Sequence, residues 1–143
     1  MSRLAPTPKH LWIIGILAVL WNLMGVYDYL MTQTENEAYL AKFDQAQLDY
    51  FYSFPIWVEV FWALAIWGAM AGCVLLLMRK RLAVPVFLGS LVSMVITAVY
   101  NFGLSRGMEV MGAGGLIFTI AIFFIALGLW LYSKAMAARN VLG

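Results

Sequence analysis

Four long apolar stretches constrain this chain more than any other feature of its sequence. They cover residues 11–31, 55–78, 82–104 and 110–133, and each contains at least 21 residues. About 20 residues are needed to cross ~30 Å of hydrocarbon at ~1.5 Å per residue. A backbone in lipid must also satisfy its own hydrogen bonds, which a helix does. The sequence therefore predicts an all-α integral membrane protein, a four-helix bundle formed as a single domain of residues 1–143.

The composition excludes an ordinary soluble domain. Of the 143 residues, 64% are apolar and 11% are charged, whereas soluble domains carry roughly 25% charged residues. The single cysteine, Cys73, lies in the second apolar stretch, so it cannot form an intramolecular disulfide. The net charge of +2 is too small to indicate a nucleic-acid partner. The predicted partner is the lipid bilayer.

Basic residues are distributed unevenly about the four stretches. If the chain crosses the bilayer four times, seven of the nine Lys and Arg residues share one side: Arg3, Lys9, Arg79, Lys80, Arg81, Lys134 and Arg139. The other side receives Lys42 and Arg106, and all seven carboxylates fall in or near that half. Short loops rich in Lys and Arg remain in the cytoplasm. We therefore expect a bacterial inner-membrane protein with both termini cytoplasmic.

The one long connection, residues 32–54, is rich in aromatic and acidic side chains. Thr34 and Glu37 have the spacing of a capping box, which predicts the start of a helix. The sequence that follows suits a short amphipathic helix on the outer leaflet, between the first two spans. This helix could be a lid or a docking surface for a partner. An aromatic belt that anchors the bundle is the favoured interpretation.

Asp28 is the acidic residue whose position in the sequence is least favourable for a charged group. It lies near the outer, C-terminal end of the first apolar stretch, where the helix dipole disfavours an anion. A charge within a membrane costs roughly 2.5–3.5 kcal/mol, so Asp28 needs a cation, a proton or water. Arg106 is the candidate cation for an ion pair, and a proton-binding or ligand-binding role is the alternative. Glu59 differs because the first turns of its helix favour an anion.

Small and polar residues follow helical spacing on the first two predicted helices. On the first, Asn22, Gly25 and Tyr29 share a face, and Asn22 is interpreted as a hydrogen-bonding contact between helices. On the second, Gly68 and Gly72 have the small-xxx-small spacing that lets two helices pack closely. These glycines lie opposite the carboxylate of that helix, so one face is predicted to pack closely. The other face presents Glu59, Trp62 and Ala63 to a different neighbour, which leaves a surface for self-association or a partner.

The third predicted helix carries Ser93, Thr97 and Asn101 at intervals of four residues, with Tyr100 beside them. Such a stripe faces lipid only at a cost, so we expect it to face the first helix or a wet cavity. Ser93 and Thr97 are interpreted as packing positions. The candidate polar pocket or ion pair then consists of the larger polar groups: Asp28, Arg106, Glu59, Asn22, Tyr29, Asn101 and Tyr100.

The residue types needed for catalysis or metal binding are scarce. His10 is the only histidine and lies at the cytoplasmic edge, which excludes haem ligation by two histidines. The sequence has no His/Cys metal constellation, no nucleophile–base pair and no phosphate-binding loop. It predicts no enzyme, no metal site and no cofactor.

Over nearly its whole length the chain resembles a family of small four-span inner-membrane proteins of proteobacteria. The resemblance rests on the stretches "WNLMGVYDY", "FYSFPIWV", "RKRLAVPVFLGSL" and "YNFGLS". Members of that family are often labelled sugar transporters. The resemblance implies the four-span architecture and the transport of a sugar-type solute.

Two functions are consistent with these patterns. The first is a small-solute transport component, which would bind its solute in an outward-facing polar pocket and work as an oligomer because four helices form a thin wall. The second is a non-catalytic accessory or assembly subunit of a larger membrane complex. That second function accounts for the small size, the glycine face and the absence of a catalytic motif.

Overall fold

The protein is built from helices in the computed structural model, which describes residues 5–104 and 107–143. Its elements are α1 (Lys9–Gln33), α2 (Glu37–Leu40), α3 (Gln45–Phe51), α4 (Ile56–Leu77), α5 (Ala83–Val99), a π-helical turn (Tyr100–Leu104) and α6 (Gly107–Ala138). Those two described ranges contain no β-strand. The predicted all-α, four-helix architecture is confirmed.

Four of these segments are long and apolar enough to cross a membrane: Lys9–Gln33, Ile56–Leu77, Ala83–Leu104 and Gly112–Ala138. The protein is therefore a multi-pass membrane protein. The last span begins inside α6, because Gly112 has a φ of +70° that kinks the helix there. Glycine adopts this conformation without the steric cost that a side chain would add.

The connection between α1 and α4 contains two short helices where the sequence predicted one. Asn36 caps α2 by accepting a hydrogen bond from the Tyr39 amide, and Asp44 caps α3 in a capping box with Gln47. The capping box predicted at Thr34 and Glu37 is wrong. Thr34 ends α1 instead, and its hydroxyl donates to the Leu30 carbonyl at 2.6 Å.

The two ends of the bundle differ. We call the end that carries residues 34–55 the loop end, and the end where α1 begins and α6 ends the tail end. The tail end is filled by a core of buried residues: Leu11, Ala18, Cys73, Leu76, Ala83, Phe87, Leu129, Met136, Ala137, Val141 and Leu142. Close packing of these side chains between neighbouring helices holds the four spans together at that end.

Two arginines of the turn between α4 and α5 close the tail end. Arg79 donates from Nε to the Val141 carbonyl at 3.1 Å and from Nη2 to the Ala5 carbonyl at 2.6 Å. Arg81 donates from Nη2 to the Ala137 carbonyl at 2.8 Å. The Ala137 carbonyl belongs to the last turn of α6, whereas the Ala5 and Val141 carbonyls lie in the two terminal tails, so the arginines join both tails to the turn.

Gly68 and Gly72 pack against α5 of the same chain. A Cβ at Gly72 would lie 2.7 Å from two carbons of the Phe87 ring, and one at Gly68 would lie 3.2 Å from Cβ of Ser90. The absent side chains allow α4 and α5 to approach each other. The glycine face is thus a packing face, and its neighbour is α5 of the same chain.

We expect Gly72→Ala to destabilise the protein, by about 1–3 kcal/mol, because the added methyl overlaps the Phe87 ring. Phe87 is only 2% exposed, so the overlap is relieved only if the ring leaves its packed position. Gly89→Ala is the matched control, since a Cβ at Gly89 meets open space. Thermal unfolding in detergent should show a lower melting temperature for the first variant alone. Equal melting temperatures would contradict the packing described for α4 and α5.

Candidate functional site

A cavity of about 940 Å³ lies between α1, α4, α5 and α6, beneath the connection at the loop end. Its floor includes Phe87 and Leu129, which also belong to the core of the tail end. Along the third span the lining runs from Phe87 to Asn101, which is roughly 20 Å at ~1.5 Å per residue. The bundle is therefore packed at one end and hollow over the remainder of its length.

The middle of the cavity is less polar than its residue names suggest. The hydroxyl of Ser90 donates to the Ala65 carbonyl at 2.6 Å, and that of Thr97 donates to the Ser93 carbonyl at 2.9 Å. Thr119 likewise donates to the Gly115 carbonyl at 2.9 Å. These three hydroxyls line the cavity but direct their protons to the backbone. They offer little hydrogen bonding to a solute.

Asn22 joins two helices at the wall of the cavity. Its Nδ2 donates to the Ala18 carbonyl of its own helix at 2.8 Å and to Sγ of Cys73 on α4 at 3.2 Å. An amide that bridges helices in this way stabilises their packing in a membrane. This geometry agrees with the interpretation of Asn22 as a contact between helices.

The carboxylate of Asp28 lies at the loop end of the cavity and accepts a hydrogen bond from the hydroxyl of Tyr39. The position of Tyr39 follows from the Asn36 cap, which starts α2 three residues earlier. Lys42 completes the group, because its Nζ lies 3.9 Å from the centre of the Tyr39 ring and 5.3 Å from that of Phe43. We refer to Asp28, Tyr39 and Lys42 as the carboxylate site.

Electrostatics keep the Tyr39 phenol protonated. Burial raises its pKa well above the ordinary value of 10.0, and the hydrogen bond to Asp28 and the charges of Asp28 and Tyr27 raise it further. The Tyr39 hydroxyl therefore keeps its proton at neutral pH and donates it in the hydrogen bond to the carboxylate. Within the part of the chain that the structure describes, Asp28 forms no salt bridge with a lysine or arginine, and its hydrogen-bond partner is Tyr39.

The connection is attached above the cavity by two further tyrosines. The Tyr50 hydroxyl donates to Oδ1 of Asn101 at 2.7 Å, and the Tyr50 side chain is only 3% exposed. The Tyr52 hydroxyl donates to the Thr32 carbonyl at 2.8 Å. These bonds attach the connection to the end of α1 and to the π-helical turn that follows α5. The aromatic connection thus covers the cavity as a roof, a position closer to the predicted lid than to a belt that only contacts lipid.

The structure brings some of the predicted site residues together at the cavity and separates the others. Asn22, Gly25, Asp28, Thr97 and Asn101 line it. A Cβ at Gly25 would meet open space, so this glycine borders the cavity and does not admit a neighbouring helix as the sequence predicted.

The remaining candidates lie elsewhere. Tyr29 packs on Trp62 and Trp67, with ring centres 4.9 and 6.0 Å apart. Tyr100 packs on Phe54 and Trp57 at 5.7 and 5.5 Å. Glu59 does not line the described cavity. Ser93 is buried, and its hydroxyl donates to the Gly89 carbonyl. Arg106 lies outside the described residues. The predicted Asp28–Arg106 ion pair therefore stays a prediction.

Sequence reasoning missed Tyr39 and Lys42 as site residues. It assigned the aromatic connection to the membrane surface as a whole and placed its helix start at Thr34. The signal that could have found Tyr39 was Asn36, since Asn is a strong N-cap and the amide that it caps belongs to the third residue after it. The choice between two adjacent caps decides which side chain faces Asp28.

Comparison with protein-family models, with curated proteins and with solved structures finds no match to this chain.

We expect Tyr39→Phe to lower the stability of the protein by about 1–3 kcal/mol near neutral pH, because Asp28 then loses its donor. In the wild type the contribution of Tyr39 is fully present below pH 10, the ordinary pKa of tyrosine. It is lost as the pH rises above 10 towards the raised pKa of the folded state, because the unfolded phenol ionises first.

The measurement is thermal unfolding of both proteins in detergent between about pH 8 and pH 11. The melting-temperature difference between them should shrink above pH 10. The other tyrosines are common to both proteins, so their titration cancels in the comparison. A difference that stays constant over this range would contradict the assigned hydrogen bond.

Proposed function

We propose that this protein is a small-solute transport component and that the cavity is its solute-binding site. The observation that carries the proposal is a cavity of about 940 Å³ inside a four-span bundle, with the Asp28 carboxylate on its wall. Ligand sites commonly measure ~300–1,000 Å³. An ionisable group within a membrane segment commonly marks a substrate or proton path.

Asp28 has the features of a group that exchanges a proton or a charged solute. It is half-buried, and its hydrogen-bond donor among the described residues is the neutral Tyr39. In this proposal the carboxylate binds a solute or takes up a proton as the solute leaves. The wall is one helix thick, and the last span exposes large apolar side chains such as Ile117, Phe124 and Leu131. The carrier would therefore work as an oligomer.

The distribution of cations supports an orientation. Arg79, Lys80 and Arg81 lie at the tail end, and Lys42 lies at the loop end. By the positive-inside rule the tail end faces the cytoplasm of a bacterial inner membrane and the cavity faces outward.

Cysteine labelling tests this orientation. A maleimide that does not cross membranes should label Glu37→Cys in intact cells, because Glu37 is exposed at the loop end. Lys80→Cys, exposed at the tail end, should label only after the cells are permeabilised. The native Cys73 is fully buried, so the wild type is the unlabelled control. Labelling in the reverse pattern would contradict the proposed orientation.

Transport is tested in liposomes by proton-coupled uptake, with glucose and small organic amines as solutes. We expect Asp28→Asn to reduce flux by about tenfold or more while the protein stays folded, since the amide cannot exchange a proton. Glu59→Gln is the matched control, because it removes a carboxylate that does not line the cavity. Unchanged flux in Asp28→Asn would contradict a role for this carboxylate in transport.

The alternative function is an accessory subunit of a larger complex, and the glycine face of α4 no longer favours it. The glycine face of α4 is filled by Phe87 and Ser90 of the same chain. The exposed face of the last span remains available to a partner as well as to lipid. A stoichiometric partner recovered with the protein in mild detergent would favour this alternative over the carrier, and a homo-oligomer would favour the carrier.

A further inference from the structure

We propose that the cavity binds an amphipathic organic cation, with an ammonium-type head at Asp28 and an apolar body extending towards the floor. This inference rests on the proposed function and names the class of solute. It differs from the sugar-type solute implied by the sequence resemblance. Three features of the described residues support it. The deep part of the cavity is apolar, the Asp28 carboxylate has no described salt-bridge partner, and the ammonium of Lys42 lies on the Tyr39 ring.

The depth of the cavity favours an apolar body. Phe87 and Leu129 lie at the floor, and Ala69, Ile125 and Ala126 line the walls near them. A sugar at this depth would lose water from its hydroxyls and find few partners in exchange. Each unsatisfied polar group then costs about 1–3 kcal/mol. A hydrocarbon or aromatic body loses nothing by entering such a space.

The loop end of the cavity favours a cationic head. A carboxylate offers about four acceptor positions, and the described part of the chain fills only one of those of Asp28, through Tyr39. No described lysine or arginine forms a salt bridge with it. A half-buried carboxylate at the C-terminal end of a helix is destabilised by its surroundings. A cation supplied by the ligand would remove that penalty, whereas an anion would increase it.

Lys42 indicates that a cation is accommodated on the ring of Tyr39, whose hydroxyl donates to this carboxylate. Its ammonium lies over the Tyr39 ring at 3.9 Å and near the Phe43 ring, and the Tyr27 ring contacts Tyr39 edge-on at 5.5 Å. Aromatic faces attract ammonium groups, and the attraction increases when water is excluded. Lysine has a flexible stem, so an incoming cation can displace it from the ring. Lys42 therefore acts as an internal competitor of the ligand.

The test uses three probes that share a phenylbutyl body and differ in the head: trimethylammonium, glucoside and sulfonate. Binding to the full-length protein in detergent is read from the change in total tryptophan fluorescence, to which Trp21 and Trp62 of the cavity wall contribute. We expect the ammonium probe to bind about tenfold or more tightly than the other two. Equal affinity of the glucoside, or tighter binding of the sulfonate, would overturn the proposed ligand class.

Two variants of the carboxylate site should change the affinity for the ammonium probe in opposite directions. Asp28→Asn should weaken binding of the ammonium probe by about tenfold or more, because the acceptor charge is lost. Lys42→Gln should tighten it severalfold, because the competing ammonium leaves the Tyr39 ring. Weaker binding in Lys42→Gln would overturn the role of Lys42. Glu59→Gln is the control for loss of a carboxylate outside the cavity and should match the wild type.

A pair of glycine variants separates cavity binding from partition into the micelle. Gly25→Leu adds a side chain where open space borders the cavity, and it should abolish specific binding. Gly89→Leu adds the same side chain at an exposed position outside the cavity and should bind as the wild type does. If every probe binds Gly25→Leu and the wild type equally, the cavity is not a binding site and the proposed transport function fails too. Glucoside binding that is lost in Gly25→Leu would preserve that function and reject only the cation.

Discussion

Phe87 lies against Gly72, and this contact between α5 and α4 supports both halves of the molecule. On one side the ring belongs to the core that closes the tail end, and on the other it forms part of the cavity floor. Membrane helices have no hydrophobic drive to associate within lipid, so close packing at small residues must hold them together. The tail end achieves this packing, which allows the loop end to remain hollow. The cavity depends on the core beneath it.

The polar groups of the bundle serve two separate purposes. Asn22 and Ser90 each bond a neighbouring helix, through Cys73 and the Ala65 carbonyl, and so hold helices together. Thr97 donates within its own helix, and all three contribute little to a ligand. Asp28 and Tyr39 form the exception, because within residues 5–104 and 107–143 the phenol fills only one of about four acceptor positions of the carboxylate. Lys42 lies beside them on an aromatic face. The proposed cation specificity follows from this contrast between a carboxylate that remains available and hydroxyls that do not.

Much of the fold could be predicted because each apolar stretch is long enough to determine its own structure in a bilayer. The site was harder to predict, since helical spacing shows which residues share a face but not what that face meets. Gly68 and Gly72 illustrate the limit: their spacing predicted a packing face, and the partner proved to be α5 of the same chain. Tyr29 and Tyr100 had the expected spacing too, yet neither lines the cavity, and each packs against aromatic rings instead.

The sequence by itself determined the number and length of the spans, because a backbone in lipid must form its hydrogen bonds within each segment. It also determined which residues carry charge near the loop end. Only the tertiary structure decided that Asp28 faces Tyr39 and a cavity. That outcome depends on the Asn36 cap and on the bonds from Tyr50 and Tyr52, which bring a distant connection over the end of α1. Contacts between segments are set by packing geometry, which no single segment encodes.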